Sequence, residues 1–252
     1  MPAHPSDTGP PATAPAAPAA PPWPGERWYS PPYVPTRTLF YAWVRSALAP
    51  SDVLLDAGAG PGDATRSLRG RAARVCGIDV DPAVLANPNL DEARVVTGCA
   101  WPYPNAAFDV VLSDYVLEHL DRPAAYLAEA RRVLKPGGHL FFRTVNALHP
   151  GVLVGRWLPL ATWARLIGWL SAVGPAAPDP YPTFWRANTP ARVLALLRAA
   201  GFRRLDLRTR EEPPRYLARL RPLVPPAVLW ERVANRCAIL SPLRLTLYGC
   251  AW

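Results

Sequence analysis

The chain has 252 residues, half of them hydrophobic and 19% charged, which excludes a disordered polymer. Four cysteines without a C-x-x-C pair, together with four scattered histidines, exclude a disulfide scaffold and indicate no metal site. The net charge is +9, and Lys135 is the sole lysine, so arginine carries nearly all of it. That excess reads either as codon-driven composition or as attraction to an anionic surface. Nucleic acid is not an expected partner, because no helix-turn-helix, zinc-finger or RNP-type motif is present.

Residues 1–24 hold much of the proline, in the run P-P-A-T-A-P-A-A-P-A-A-P-P, and read as a disordered or polyproline-like tail. The tail lacks the charged start and apolar run of a signal peptide. No 18-residue stretch is apolar and uncharged enough to span a bilayer; Trp157 to Gly174 comes nearest and is interrupted by Arg165. A cytoplasmic location is expected by default. Residues 25–252 read as one α/β domain. Arg37 to Leu48 precedes the first strand, and Arg37 and Tyr41 are candidate lid residues there.

Val53 to Ala57 reads as a buried strand ending in a glycine-rich turn, and Gly62 to Leu68 as a helix opening. Arg74 to Asp79 is a second strand, followed by the helix-start signal Asp81-Pro82. Arg94 to Thr97 is a third and Phe108 to Leu112 a fourth. Arg122 to Leu134 spaces its apolar residues as a helix, which Pro136-Gly137-Gly138 stops before a fifth strand, His139 to Val145. Thr189-Pro190 opens a helix that ends at Gly201. Phe202 to Thr209 and Arg244 to Tyr248 are the sixth and seventh strands. This alternation predicts a doubly wound, mostly parallel, seven-stranded sheet. Helical insertions at about 146–187 and 211–240 follow strands 5 and 6, where they can act as lids.

The chemistry concentrates in Asp56-Ala57-Gly58-Ala59-Gly60-Pro61-Gly62. Glycines there permit a tight turn and a close ligand approach. Asp79 ends the next strand, where a carboxylate can accept bonds from both hydroxyls of a ribose. A dinucleotide fingerprint would need glycine at 63, but Asp63 stands there and would face a pyrophosphate. That disfavours the rival reading of an NAD-type oxidoreductase. A cofactor with adenosine but no phosphate, such as S-adenosylmethionine, avoids the conflict.

The successive motifs V-L-L-D-A-G-A-G-P-G, G-I-D-V-D-P, F-D-V-V-L-S-D-Y-V-L-E-H-L and L-K-P-G-G-H-L-F-F-R-T resemble those of class I S-adenosylmethionine-dependent methyltransferases, of the small-molecule or lipid type. The resemblance covers about residues 50–210. It implies that Asp56, Gly58, Gly60 and Gly62 surround the methionine part of the cofactor. It implies too that Asp79 binds the ribose, that Val80 lies beside the adenine, and that Ser113 lies near the transferable methyl. Cys99-Ala100 occupies the family's usual Asp-Ala position, and the loop from there to Phe108 is about two residues short, so the adenine contact departs from the pattern. His119 and Tyr115 after the fourth strand, and His149 and Asn146 after the fifth, are candidates for acceptor contact or catalysis.

Such an enzyme needs neither triad nor metal, because in-line displacement at carbon relies on positioning. A base is required only for a hydroxyl or protonated nitrogen acceptor. Leu160, Trp163, Ile167, Leu170 and Gly174, with Trp157, Trp169, Arg156 and Arg165, have helical spacing that suits a bilayer interface, and Arg215 to Leu245 repeats that character. The expected partners are a small-molecule or lipid-like substrate and an anionic membrane surface. No obligate protein partner is evident. A non-catalytic cofactor-binding protein of the same fold is the second rival.

Overall fold

The computed structural model describes residues 25–29, 33–62, 65–157, 181–217 and 219–252, with Thr162, Arg165, Leu166 and Trp169 between them. The proline-rich stretch 1–24, Asp63, and most of the Trp-rich pattern from Leu160 to Gly174 lie outside the described residues.

Seven strands form one sheet: β1 (Val53–Ala57), β2 (Arg74–Asp79), β3 (Glu92–Val95), β4 (Phe108–Asp114), β5 (Leu134–Val145), β6 (Leu205–Arg210) and β7 (Thr246–Ala251). Their order is β3-β2-β1-β4-β5-β7-β6. The pairs from β3 to β5 are parallel, while β7 runs antiparallel to both β5 and β6. The expected mostly parallel, seven-stranded, doubly wound sheet is the observed one.

Its central strands are apolar on both faces because helices cover both. Successive residues face opposite sides. Leu55, Val111 and Leu140 pack on one side with α2 (Pro123–Val133) and α4 (Pro190–Ala199). Leu54, Leu112 and Phe141 pack on the other with Phe40, Tyr41 and Val44 of α1 (Thr36–Ala47). Tyr41 is thus buried against the sheet rather than poised as a lid. The Thr189-Pro190 signal works as expected: the Thr189 hydroxyl accepts the Arg192 amide at the start of α4.

Local departures from the sequence reading have local causes. β3 starts two residues earlier than expected and stops at Val95, because Val96 leaves the strand while its amide donates to the Asp79 carbonyl. β5 already begins at Leu134, opposite Phe108, and its register then jumps to pair His139 with Val110. The Pro136-Gly137-Gly138 segment, with Gly137 at φ 80°, forms this bulge. The helix expected over 62–68 is a single 3-10 turn at Thr65–Ser67.

Both insertions are tied to one buried carboxylate. The short helix α3 (Pro150–Gly155) is capped by His149, whose Nδ1 accepts the Gly151 amide at 3.2 Å. His149 Nε2 lies 3.2 Å from Glu211 Oε1. The other Glu211 oxygen accepts the Leu245 amide, and its backbone exchanges hydrogen bonds with Asn235 of α5 (Val224–Arg236). No described helix is long and apolar enough to cross a membrane.

Candidate active site

The chain runs one way from β1 to β2 and returns to the other side for β4. The carboxyl ends of β1 and β4 therefore open a crevice, the usual ligand position in such sheets. A cleft of about 570 Å³ lies there. Its floor is the glycine bend. Gly58 has φ 93° and Gly60 φ 53°, backbone that L side chains rarely adopt. A Cβ on Gly58 would clash with Val116 Cγ2, one on Gly60 would only touch Asp79 Oδ2, and Gly62 faces open space.

The bend is held from the second crossover. Asp79 Oδ2 accepts the Gly60 amide at 2.8 Å, and Asp79 Oδ1 accepts the Asp81 amide at 2.9 Å. Asn87 Nδ2 donates to the Gly60 carbonyl at 2.9 Å, and Asn87 Oδ1 in turn accepts the Asn89 amide. Each Asp79 oxygen has used one lone-pair direction, so the second direction on each is available to a ribose hydroxyl.

Val80, 57% exposed, forms an apolar ledge beside Asp79. The opposite wall is Val96, Gly98 and Trp101. Cys99 and Ala100 do not line the cleft; the residues on either side of them do. Glu129 of α2 anchors this wall by accepting the Trp101 amide, and Arg132 donates to the Trp101 and Tyr103 carbonyls. Ser113 is wholly buried behind the floor. It sits 2.9 Å from the Tyr126 hydroxyl, which itself reaches the Ala57 carbonyl. It therefore shapes the floor through Tyr126 instead of meeting the cleft.

Asp56 is buried at the end of β1, and its Oδ2 has no hydrogen-bond partner among the described residues. Desolvation, and then the fields of Asp114 and Asp79, push its carboxyl well above the usual carboxylate range. Asp56 is not among the residues that line the cleft, and its neutral form supports the bend from beneath. The glycine bend with Asp79 beside it suits S-adenosylmethionine, which carries a ribose and no phosphate. A carboxyl whose folded-state pKa is raised binds more protons folded than unfolded. Its penalty is absent below the unfolded value near 4 and grows as pH rises through the folded value. Asp56→Asn should therefore raise the melting temperature of the ligand-free protein at pH 8, with the gain shrinking toward pH 4. Calorimetric melts across that range check this.

On the acceptor side, Tyr115 and His119 both line the cleft, while His149 and Asn146 do not. Tyr115 has φ 57°, a strained conformation for a bulky residue. Its ring lies under the Arg143 guanidinium, 4.5 Å from centroid to Cζ. Arg143 forms a buried two-pronged ion pair with Asp114, and Tyr41 donates to the same carboxylate at 2.8 Å. His119 Nδ1 lies 3.2 Å from the Pro182 carbonyl, which favours a proton on Nδ1 and leaves Nε2 as the basic nitrogen. Tyr181 crosses the cleft mouth to donate to Asp81 Oδ2 at 3.0 Å. The Glu118 carboxylate accepts from Thr144, which also accepts from Asn188, so the L-E-H segment is locked to β5 and to the approach to α4.

Trp101, Asn87 and Tyr181 were missed in the sequence because single aromatic or amide residues carry no spacing signal; only the N-P-N run after Asp81-Pro82 hinted at a built loop.

A glycine bend, an acid closing β2 and a β7 inserted antiparallel frame the cleft. Residues 55–142 match the family model of the Methyltransferase domain. The matched segment carries a methyltransferase domain, consistent with the class I S-adenosylmethionine-dependent fold family.

Among its relatives is the ribosomal protein L11 methyltransferase of Burkholderia mallei (strain NCTC 10229), 30% identical over 148 residues, 56% of this chain and 48% of that protein. Demethylmenaquinone methyltransferase of Tropheryma whipplei (strain Twist) is 32% identical over 110 residues, 39% of this chain and 46% of its own. Ubiquinone biosynthesis O-methyltransferase of Hahella chejuensis (strain KCTC 2396) is 37% identical over 111 residues, 40% and 46% respectively. The matched part thus spans about half the length of these relatives.

The fold is shared with an S-adenosylmethionine-dependent methyltransferase from Archaeoglobus fulgidus, with TM-score 0.55, 13% identity and coverage of 86% and 92% of the two chains. It is also shared with Haemonchus contortus phosphoethanolamine N-methyltransferase 2 in complex with S-adenosyl-L-methionine, with TM-score 0.54, 15% identity and coverage of 84% and 51%.

Proposed function

We propose that the protein transfers a methyl group from S-adenosylmethionine to a small-molecule, lipid-like acceptor. The observation that carries this reading is Asp79, bonded to the glycine bend yet with acceptor capacity left toward the cleft. When bound, the cofactor supplies an electrophilic methyl on a sulfonium. Gly58, Gly60 and Gly62 would let its methionine part approach the backbone. Asp79 would hold the ribose, Val80 and Trp101 would enclose the adenine in place of Cys99 and Ala100, and Asp56, buried beneath the bend, would support it from below. Ser113 would support the floor through Tyr126.

The acceptor would enter beside Tyr115 and His119. Tyr115, pinned by its strained backbone and the Arg143 guanidinium, would orient it. Nε2 of His119 would take a proton where the acceptor is a hydroxyl or a protonated nitrogen. His149, buried on Glu211, would serve the insertions' structure and not the chemistry. Holding the acceptor about 3 Å from the methyl on the correct axis, with water excluded, supplies much of the rate.

The lipid-like preference draws on the apolar and arginine-rich insertions and on relatives named for quinones. A membrane-peripheral placement follows from the same features.

Incubation with methyl-labelled cofactor and extracted quinols, lipids or sugar-linked lipids should label an organic-soluble product. His119→Ala should lower kcat by about 10²-fold with KM for the cofactor unchanged, the usual scale for losing a positioned base. Label recovered only in protein would refute the lipid-like acceptor, and no transfer to any fraction would refute the activity.

A further inference from the structure

A second cleft, of about 390 Å³, lies away from the glycine bend, between α5 and the β6–β7 edge of the sheet. Arg210, Arg232, Arg236 and Arg244 line it, with Thr209 and Tyr248 beside them. Among the described residues its one acid, Glu231, is buried and already accepts from Asn235 at 2.6 Å and from Tyr29 at 3.2 Å. None of the four arginines makes an ion pair among the described residues. Three of them are steadied by carbonyls: Arg210 by Val34, Arg232 by Trp28, and Arg244 by Ala234 and Thr209. Carbonyl anchors fix a guanidinium without neutralising it. Arg244 also donates to the Asn235 and Cys237 carbonyls, so it contributes charge alone. Arg210, Arg232 and Arg236 converge on the cleft with it and suit a phosphate oxyanion, which arginine binds through two parallel N–H donors.

The face beside this cleft is unusual. On α5, Leu229 and Val233 are 63% and 45% exposed, and they share the outer stripe with Arg232 and Arg236. Ile239, just beyond the helix, is 86% exposed. Residues 213–252 contain six arginines and no acid except the buried Glu231. Apolar side chains standing beside the exposed Arg232 and Arg236 fit a phosphate layer above a hydrocarbon layer.

We propose that this cleft binds the phosphate headgroup of an acidic phospholipid, with Leu229 and Val233 entering the acyl boundary beside it. The inference deepens the membrane-peripheral reading given above and does not depend on what happens at the cofactor cleft.

The test is co-sedimentation of the full chain with vesicles of phosphatidylglycerol and phosphatidylcholine, against phosphatidylcholine alone. Strong binding is expected only with phosphatidylglycerol. The pair Arg232→Gln and Arg236→Gln should weaken it by roughly tenfold or more, on the usual contribution of a basic residue near an anionic surface. The charge-matched pair Arg71→Gln and Arg198→Gln, exposed elsewhere, should weaken it much less. Leu229→Ser with Val233→Ser should also weaken it, without any change of charge.

Equal losses for both arginine pairs would assign binding to net charge and overturn the site. Displacement from vesicles by millimolar inorganic phosphate would assign the cleft to a soluble anion and overturn the lipid. Sedimentation without vesicles would assign the face to a second copy of the chain, and no vesicle binding would end the proposal. Titration of each variant with S-adenosylhomocysteine, expected to be unchanged, distinguishes failure of headgroup binding from failure of methyl transfer.

Discussion

Asp79→Ala should reduce affinity for S-adenosylhomocysteine by roughly 10²- to 10⁴-fold in calorimetric titration. Two hydrogen bonds from ribose hydroxyls to an ionised carboxylate would be lost, each contributing about 1.5–3 kcal/mol. The same change removes the acceptor for the Gly60 and Asp81 amides, so the bend itself loosens. Asp79→Asn separates these effects. One amide oxygen can keep an inward bond, but the charge is gone, and an intermediate affinity is expected. Unchanged nucleoside affinity in both variants would place the ligand elsewhere, and tighter binding of NAD than of S-adenosylhomocysteine would reverse the assignment.

The second large effect concerns stability. Asp114→Ala leaves the Arg143 guanidinium buried without its carboxylate, and a broken buried pair typically costs about 3–5 kcal/mol. For a chain of this size that corresponds to a fall of order 10 °C in melting temperature. Tyr41 loses its acceptor in the same substitution. Replacing both partners by apolar groups, Asp114→Leu with Arg143→Met, should recover much of the loss, because no orphaned charge remains. Thermal unfolding of the three proteins measures this. If the double variant retains full activity, the pair serves only the fold. If it is stable but inactive, the guanidinium matters for holding Tyr115.

The parts of the site that were legible in the sequence are those that one short segment completes alone. Gly58 and Gly60 need positive φ whatever surrounds them, and Asp79 follows from the strand that precedes it. The strand–helix alternation was legible for the same reason: apolar runs punctuated by Asp-Pro and Pro-Gly-Gly mark where each element ends. What was hidden depends on partners distant in the chain. Asn87 matters because the glycine bend, 27 residues earlier, has a carbonyl to satisfy. Trp101 lines the cleft because Arg132 and Glu129 hold its backbone. His149 follows β5, as a substrate residue would, but it caps a helix and meets Glu211, 62 positions later. Its chain position was therefore misleading, and only the packing of the two insertions decides its role.

The sheet's connectivity carries a kinetic consequence. The neighbours from β3 through β5 are all contained before residue 146, whereas β6 joins the sheet only through β7, which lies between it and β5. Ordered loop closure therefore favours the nucleotide half, and the arginine-rich edge must wait for the last-made strand to zip into place. During synthesis the outer edge of β5 stays an unpaired template, open to intermolecular pairing until β7 arrives, so substitutions that slow that final step should show up first as lost soluble yield.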